Sequence, residues 1–132
     1  MNKKQFNEKQ FEDDIKKYEK IIDSARYSVS EVINLFMIIT FYQIGADISK
    51  KGIWKNEYIR RVPGKVTNCR ILLSKDNLVS ICKFSWLISF KEITSLKLQV
   101  LPWQEIKRII DESVNHDDFI HKIREEHEKG EA

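Results

Sequence analysis

Most of the chain alternates apolar and polar positions with a helical period, and Ser30–Ser49 departs from this by being apolar on nearly every side. Between Val32 and Ile44, ten of thirteen residues are apolar, interrupted only by Asn34, Thr40 and Gln43. At about 100° per residue, Thr40, Gln43 and Asp47 share one narrow stripe and Asn34 faces roughly the other way. A helix this apolar is buried, either in a protein core or in a membrane. A membrane span needs roughly 20 apolar residues, so the stretch is too short to cross. It predicts a central core helix around which the other elements pack.

Before it, Phe11, Ile15, Tyr18, Ile22 and Ala25 recur at 4-3-4-3 spacing and predict an amphipathic helix over Asn7–Tyr27, with Val29 on the same line. That stripe could lie on the core helix as an αα-hairpin or pair with a second chain. Ser28-Val-Ser-Glu31 matches a capping box and predicts the stop of one helix and the start of the next. Gly52 breaks the pattern after Ser49. Glu57–Val62, Pro63-Gly64 and Lys65–Leu73 then read as a β-hairpin around a Pro-Gly turn, with a short helix ended by Pro63 as the alternative.

Ser74 reads as the N-cap of a helix, with Asp76 in its first turn. Leu78, Ile81, Cys82 and Ser85 line one side of this helix, and Val79 and Trp86 share a neighbouring face. Leu96, Leu98 and Val100 alternate with polar partners, which suggests a brief extended segment. Pro102 as first helical residue opens a helix with Trp103, Ile106 and Ile110 on its face. A last helix starts near Asn115, carries Phe119, Ile120 and Ile123, and frays at Gly130. The fold class expected is mainly α: a compact, helix-turn-helix-like domain with a short β-hairpin around residues 57–73. One domain spans 1–132, with frayed tails at 1–6 and 128–132.

At 132 residues the chain is long enough to bury a real core. Hydrophobic residues at 42% and charged residues at 33% describe a charge-rich globule. Cys69 and Cys82 form no C-x-x-C pair, which argues against a disulfide scaffold or zinc ribbon and fits a reducing cytosol. Met1–Lys20 is polar and does not read as a signal peptide. The net charge of +3 hides an uneven distribution: residues 50–72 carry +6, from seven cations against Glu57 alone, while residues 104–132 carry −4. A polyanion would meet the middle of the chain.

The residues offer little for catalysis. His116, His121 and His127 lack the i,i+4 spacing of a helical metal pair, and His116 and His127 read as edge-of-core residues. Glu105-Ile106-Lys107 spells the E-x-K half of a metal-dependent nuclease site. It follows Pro102 on a helix, however, and has no suitable upstream Pro-Asp. No phosphate loop, G-x-S-x-G or H-E-x-x-H occurs. No catalytic residue, metal or cofactor is expected.

Four places together resemble the N-terminal domain of YhcG-like proteins, the module that precedes a PD-(D/E)XK nuclease domain. Ala25-Arg26, Val32-x-Asn34 and Phe41-Tyr42-Gln43-Ile44-Gly45 with Ile48 are similar to that family's "N…YW-x-I-G-x-x-I" segment, with Phe41-Tyr42 replacing Tyr-Trp. Ser74-x-x-Asn77-Leu78 resembles its "S-x-x-N-L" helix start, and Lys83-Phe84 its basic-aromatic pair. Leu101-Pro102-Trp103 resembles its "L-x-W" turn and Phe119-Ile120 its later "F-Y". The likeness covers residues 20–125 and rests on order and spacing. It implies a helical module that delivers a nuclease, in cis or in trans, to nucleic acid.

The resulting expectation is a non-enzymatic, cytoplasmic nucleic-acid-binding module, with DNA as partner and no membrane. Lys55, Arg60, Arg61, Lys65 and Arg70 would contact phosphates, joined by Lys75 and Lys83 on the helix that follows. The rival is an assembly module, a homo-oligomer or docking domain that uses the amphipathic first helix or the Trp54 region.

Overall fold

The computed structural model describes residues 5–26, 33–66 and 73–131, and every described element is helical. Helices α1 (Glu8–Arg26) and α2 (Ile33–Ser49) are followed by a 3-10 turn over Gly52–Trp54 and by α3 (Lys55–Lys65). Then come α4 (Lys75–Leu87), the single turn α5 (Glu92–Ser95), a second 3-10 turn over Leu98–Val100, α6 (Trp103–Glu112) and α7 (His116–Glu131). No described helix is long and apolar enough to cross a membrane.

Helix α2 is the centre of the fold, as its all-round apolar pattern predicts. It packs chiefly on α4 and also meets α1, α3 and the second 3-10 turn. Ile38, Phe41, Ile44 and Ile48 are buried. Gly45 is what lets α2 and α4 approach: a Cβ there would fall on the Ile81 carbonyl and side chain. The narrow polar stripe follows a different logic from the rest of the helix. Thr40 is buried, Gln43 reaches solvent, and Asp47 is recruited into a charge cluster with α1. On the opposite side, the Asn34 amide donates to the backbone carbonyls of Gln99 and Leu101, the latter at 2.9 Å, and so ties the turn before α6 to α2.

The α1 stripe lies in the chain's own core: Phe11, Ile15, Tyr18 and Ile22 are buried against α2 and α3. Phe6, expected in a frayed tail, packs on Phe11, Trp54 and Tyr58 with ring centroids 5.5–5.8 Å apart. The capping box at 28–31 lies outside the described residues.

The β-hairpin expected around residues 57–73 is not what residues 57–65 form. They are helical in α3, which passes through Pro63 and ends at Lys65. The reason is tertiary. Tyr58, Ile59, Val62 and Val66 are spaced as one helical stripe and all four are buried; burying each such side chain contributes roughly 1.5–3 kcal/mol, which outweighs a breaker placed in the last turn. Residues 67–72 lie outside the described set.

Ser74 caps α4 as expected, accepting a hydrogen bond from the Asn77 amide at 3.2 Å. The extended segment expected at Leu96–Val100 does not form. Leu98–Val100 is a 3-10 turn, entered through Lys97 in the left-handed region (φ 55°, ψ 42°). The helices around it offer no strand to pair with, and the carbonyls of Gln99 and Leu101 are instead taken by Asn34. Pro102 stands one residue before α6, as its N-cap. Helix α7 passes through Gly130 and stays helical to Glu131, past the point of expected fraying.

Aromatic residues of α2, α4, α6 and α7 meet in this core. Trp103 packs on Phe41 at 4.8 Å and donates its indole N–H to Asn77 at 3.3 Å. Phe84 lies 6.1 Å from Trp103 and 6.5 Å from Phe119. Their common role is packing.

Candidate nucleic-acid interface

Two cations of the basic stretch, Lys51 and Arg61, pair with acids remote in sequence, Asp14 and Glu8. Lys51 is largely buried, with Nζ 2.8 Å from Asp14 and 3.4 Å from Asp47. Lys17 joins the same cluster, and the Tyr18 and Tyr58 hydroxyls donate to Asp47 and Asp14 at 2.8 and 2.6 Å. Burial by itself would raise both carboxyls. The Lys51 and Tyr58 hydrogen bonds to Asp14, and those of Lys17 and Tyr18 to Asp47, outweigh it and hold both below the ordinary aspartate range. Burial first, and then the carboxylates they serve, raise the two tyrosine hydroxyls. Every member already has its counter-charge or hydrogen bond, so the cluster reads as a clasp joining α1, α2 and α3.

Arg61 is a second clasp. Its guanidinium makes a bidentate pair with Glu8 of α1, at 2.9 and 3.0 Å, and lies over the Phe11 ring at 4.5 Å. Arg60 is exposed but pairs with Glu57, at 2.6 and 3.1 Å. Lys55 is half-buried near α4, where its charge partly offsets the rise that burial imposes on the Cys82 thiol. Lys65 is exposed at the C-terminal end of α3, beside a groove lined by Glu8, Glu12 and Glu19 of α1. Arg70 lies outside the described residues. Of the α3 set, Arg61 is engaged by Glu8 and Arg60 by Glu57, and among the described residues the acids outside the basic stretch offset two of its seven cations, Arg61 and Lys51.

The other two named cations lie on α4. At 100° per residue, Lys75, Val79 and Trp86 fall within about 40° of one another on the outward side, with Lys83 about 40° beyond. Lys75 is exposed, as are Val79 (53%) and Trp86 (58%). Lys83 is half-buried, its Nζ 3.5 Å from the Asp111 carbonyl. The neighbouring carboxylate, Asp76, is held by Lys107 at 2.8 Å, so it does not cancel this face. The stripe combines two cations, a β-branched residue and an indole on one regular helix. Sequence reasoning placed Val79 and Trp86 on one face without assigning them a role; their exposure depends on which side of α4 meets α2.

The E-x-K tripeptide is accounted for by helix pairing. Glu105 pairs with Arg108, and Lys107 bridges Asp76 and Asp111. His116 meets Glu92 and His127 donates to the Leu96 carbonyl. Among the described residues no group of His, Cys, Asp and Glu is arranged to hold a metal. No protein-family model matches the chain, and no curated protein or solved structure does so either.

Proposed function

We propose that the chain is a non-catalytic, cytoplasmic nucleic-acid-binding module that serves a PD-(D/E)XK-type nuclease in cis or in trans, with DNA as its partner. The supporting observation is the outward stripe of α4: Lys75, Val79, Lys83 and Trp86, with the adjacent Asp76 tied off by Lys107. A groove-seated helix uses cations for the phosphates and apolar side chains for base edges such as the thymine methyl. Helix α3 precedes α4 and packs on it, which is the order of a helix-turn-helix, and Lys55 and Lys65 would flank the contact.

The test is fluorescence anisotropy with a labelled DNA duplex at several salt concentrations, using wild type, Lys75→Ala/Lys83→Ala and Trp86→Ala. The double variant is expected to bind about tenfold or more weakly and to lower the salt slope by roughly two, one for each phosphate-neutralising cation removed. Trp86→Ala should weaken binding and leave the slope unchanged. Absence of wild-type binding at low salt, or equal binding by all three proteins, would remove the reading.

The assembly reading is less favoured for α1, because its apolar stripe is buried in the chain's own core. It finds some support elsewhere, in the exposed Phe36 of α2 and in Phe90, whose ring lies 5.7 Å from Tyr42. Sedimentation of wild type against Phe36→Ser/Phe90→Ser separates it from a monomer.

A further inference from the structure

The turn before α6 and the C-terminal half of α7 border an open cleft of about 520 Å³, and no residue of the α4 stripe lines it. Its accessible apolar lining is Leu96, Val100 and Leu101, over the buried Ile123. Its rim carries Lys97 and Arg124, both exposed and neither within ion-pair distance of a carboxylate among the described residues. Glu126 also lines the cleft, but its carboxylate is engaged by Arg108 at 3.3 Å and by Lys129 at 3.9 Å. His127 donates Nε2–H to the Leu96 carbonyl at 2.8 Å and fixes the turn to α7.

Lys97 follows the C-cap of α5 and leads into the 3-10 turn. Among the described residues it is the one non-glycine with positive φ. That conformation favours Gly, with Asn next, and disfavours a residue with a long side chain. Its amide donates to the Thr94 carbonyl at 3.0 Å, so the conformation is the one that ends α5 and turns the chain along the cleft.

We propose that this cleft binds a small organic anion, with its apolar body on Leu96, Val100 and Leu101 and its carboxylate or phosphate head between Lys97 and Arg124. The volume lies within the roughly 300–1,000 Å³ of ordinary ligand pockets, which are apolar with a few placed polar groups. Arg124 offers a planar fork that meets a carboxylate or phosphate through two hydrogen bonds, and Lys97 adds a point charge.

Calorimetric titration of the chain with octanoate, phenyl phosphate and 1-octanol at matched ionic strength tests this. At least one anion should bind saturably at millimolar concentration, and octanol should bind at least tenfold more weakly. Preference for octanoate identifies an acyl carboxylate as the ligand chemistry, and preference for phenyl phosphate a phosphomonoester. Arg124→Gln should weaken the preferred anion about tenfold and leave thermal unfolding unchanged. Lys97→Gly should weaken it similarly while raising the unfolding midpoint, since glycine takes the left-handed conformation without strain. The site is overturned if neither anion saturates, if octanol binds as tightly as the anions, or if both variants bind like wild type.

Discussion

Asp14 is a buried carboxylate on which four side chains converge. Its side chain is only 3% exposed, and it receives Lys51 at 2.8 Å, the Tyr58 hydroxyl at 2.6 Å, the Gln10 amide at 3.0 Å and Lys17 at 3.3 Å. A buried pair is weak evidence of net stabilisation, but removing one partner leaves the other charge uncompensated. Asp14→Asn should therefore cost about 3 kcal/mol in urea unfolding, because Lys51 then has only Asp47 near it. The lowered carboxyl gives the pH dependence its sign. The contribution is present above the unfolded aspartate value of 3.8 and is lost as pH falls through the lower folded one. Wild type should accordingly lose more stability than Asp14→Asn on acidification below that value. An unchanged unfolding curve for the variant would reduce the cluster to surface decoration.

At the scale of elements, α5 is too short to hold itself and is pinned from α7. Glu92 accepts the Ser89 amide at 2.8 Å and the Ser89 hydroxyl at 3.0 Å, and its other oxygen meets His116 Nε2 at 2.7 Å. The Ser89 backbone bond, then His116, hold the Glu92 carboxyl below its usual range. Glu92 first, then Asp117, raise His116 above its ordinary 6.5. The stabilisation from this pair is full below the unfolded value of 6.5 and fades as pH rises through the higher folded one. His116→Gln should lose that pH dependence of the thermal midpoint across neutral pH. A wild-type midpoint that is flat over the same range would show that the pair contributes nothing. The start of α7 is held separately: Asn115 caps it by accepting the Asp118 amide, and the Asp118 carboxylate accepts the Val114 amide one residue before the cap.

For the molecule as a whole, the choice between an intramolecular and an intermolecular first helix is decided by burial. Ile22 and Ile15 are 3% and 9% exposed, and α1 is further held through Glu8–Arg61 and Asp14–Lys51. Ile15→Asp with Ile22→Asp should therefore place two unpaired charges in the core and unfold the domain, with no folded monomer recovered. Circular dichroism and sedimentation on the same sample check this. A folded, smaller species would return α1 to the role of an interface.

The sequence by itself determined the helical class, the centrality of α2 and the start of α4 at Ser74. Each of these is set within one or two turns, by apolar period or by a cap reaching three residues ahead. It also showed which residues of α1 form a stripe, but not what that stripe meets. The ends of α3 and the turn at Leu98–Val100 were less legible. Pro63-Gly64 and the Leu96–Val100 alternation are real local signals, overridden by the burial of Tyr58, Ile59 and Val62 and by the Asn34 amide. The candidate interface was the least legible part. A count along residues 50–72 cannot see Glu8, Asp14 and Asp47, which neutralise Arg61 and Lys51 from other helices. Charge is additive along a chain, but its pairing is decided in space, and so is the side of α4 left facing outward once Gly45 has drawn α2 against Ile81.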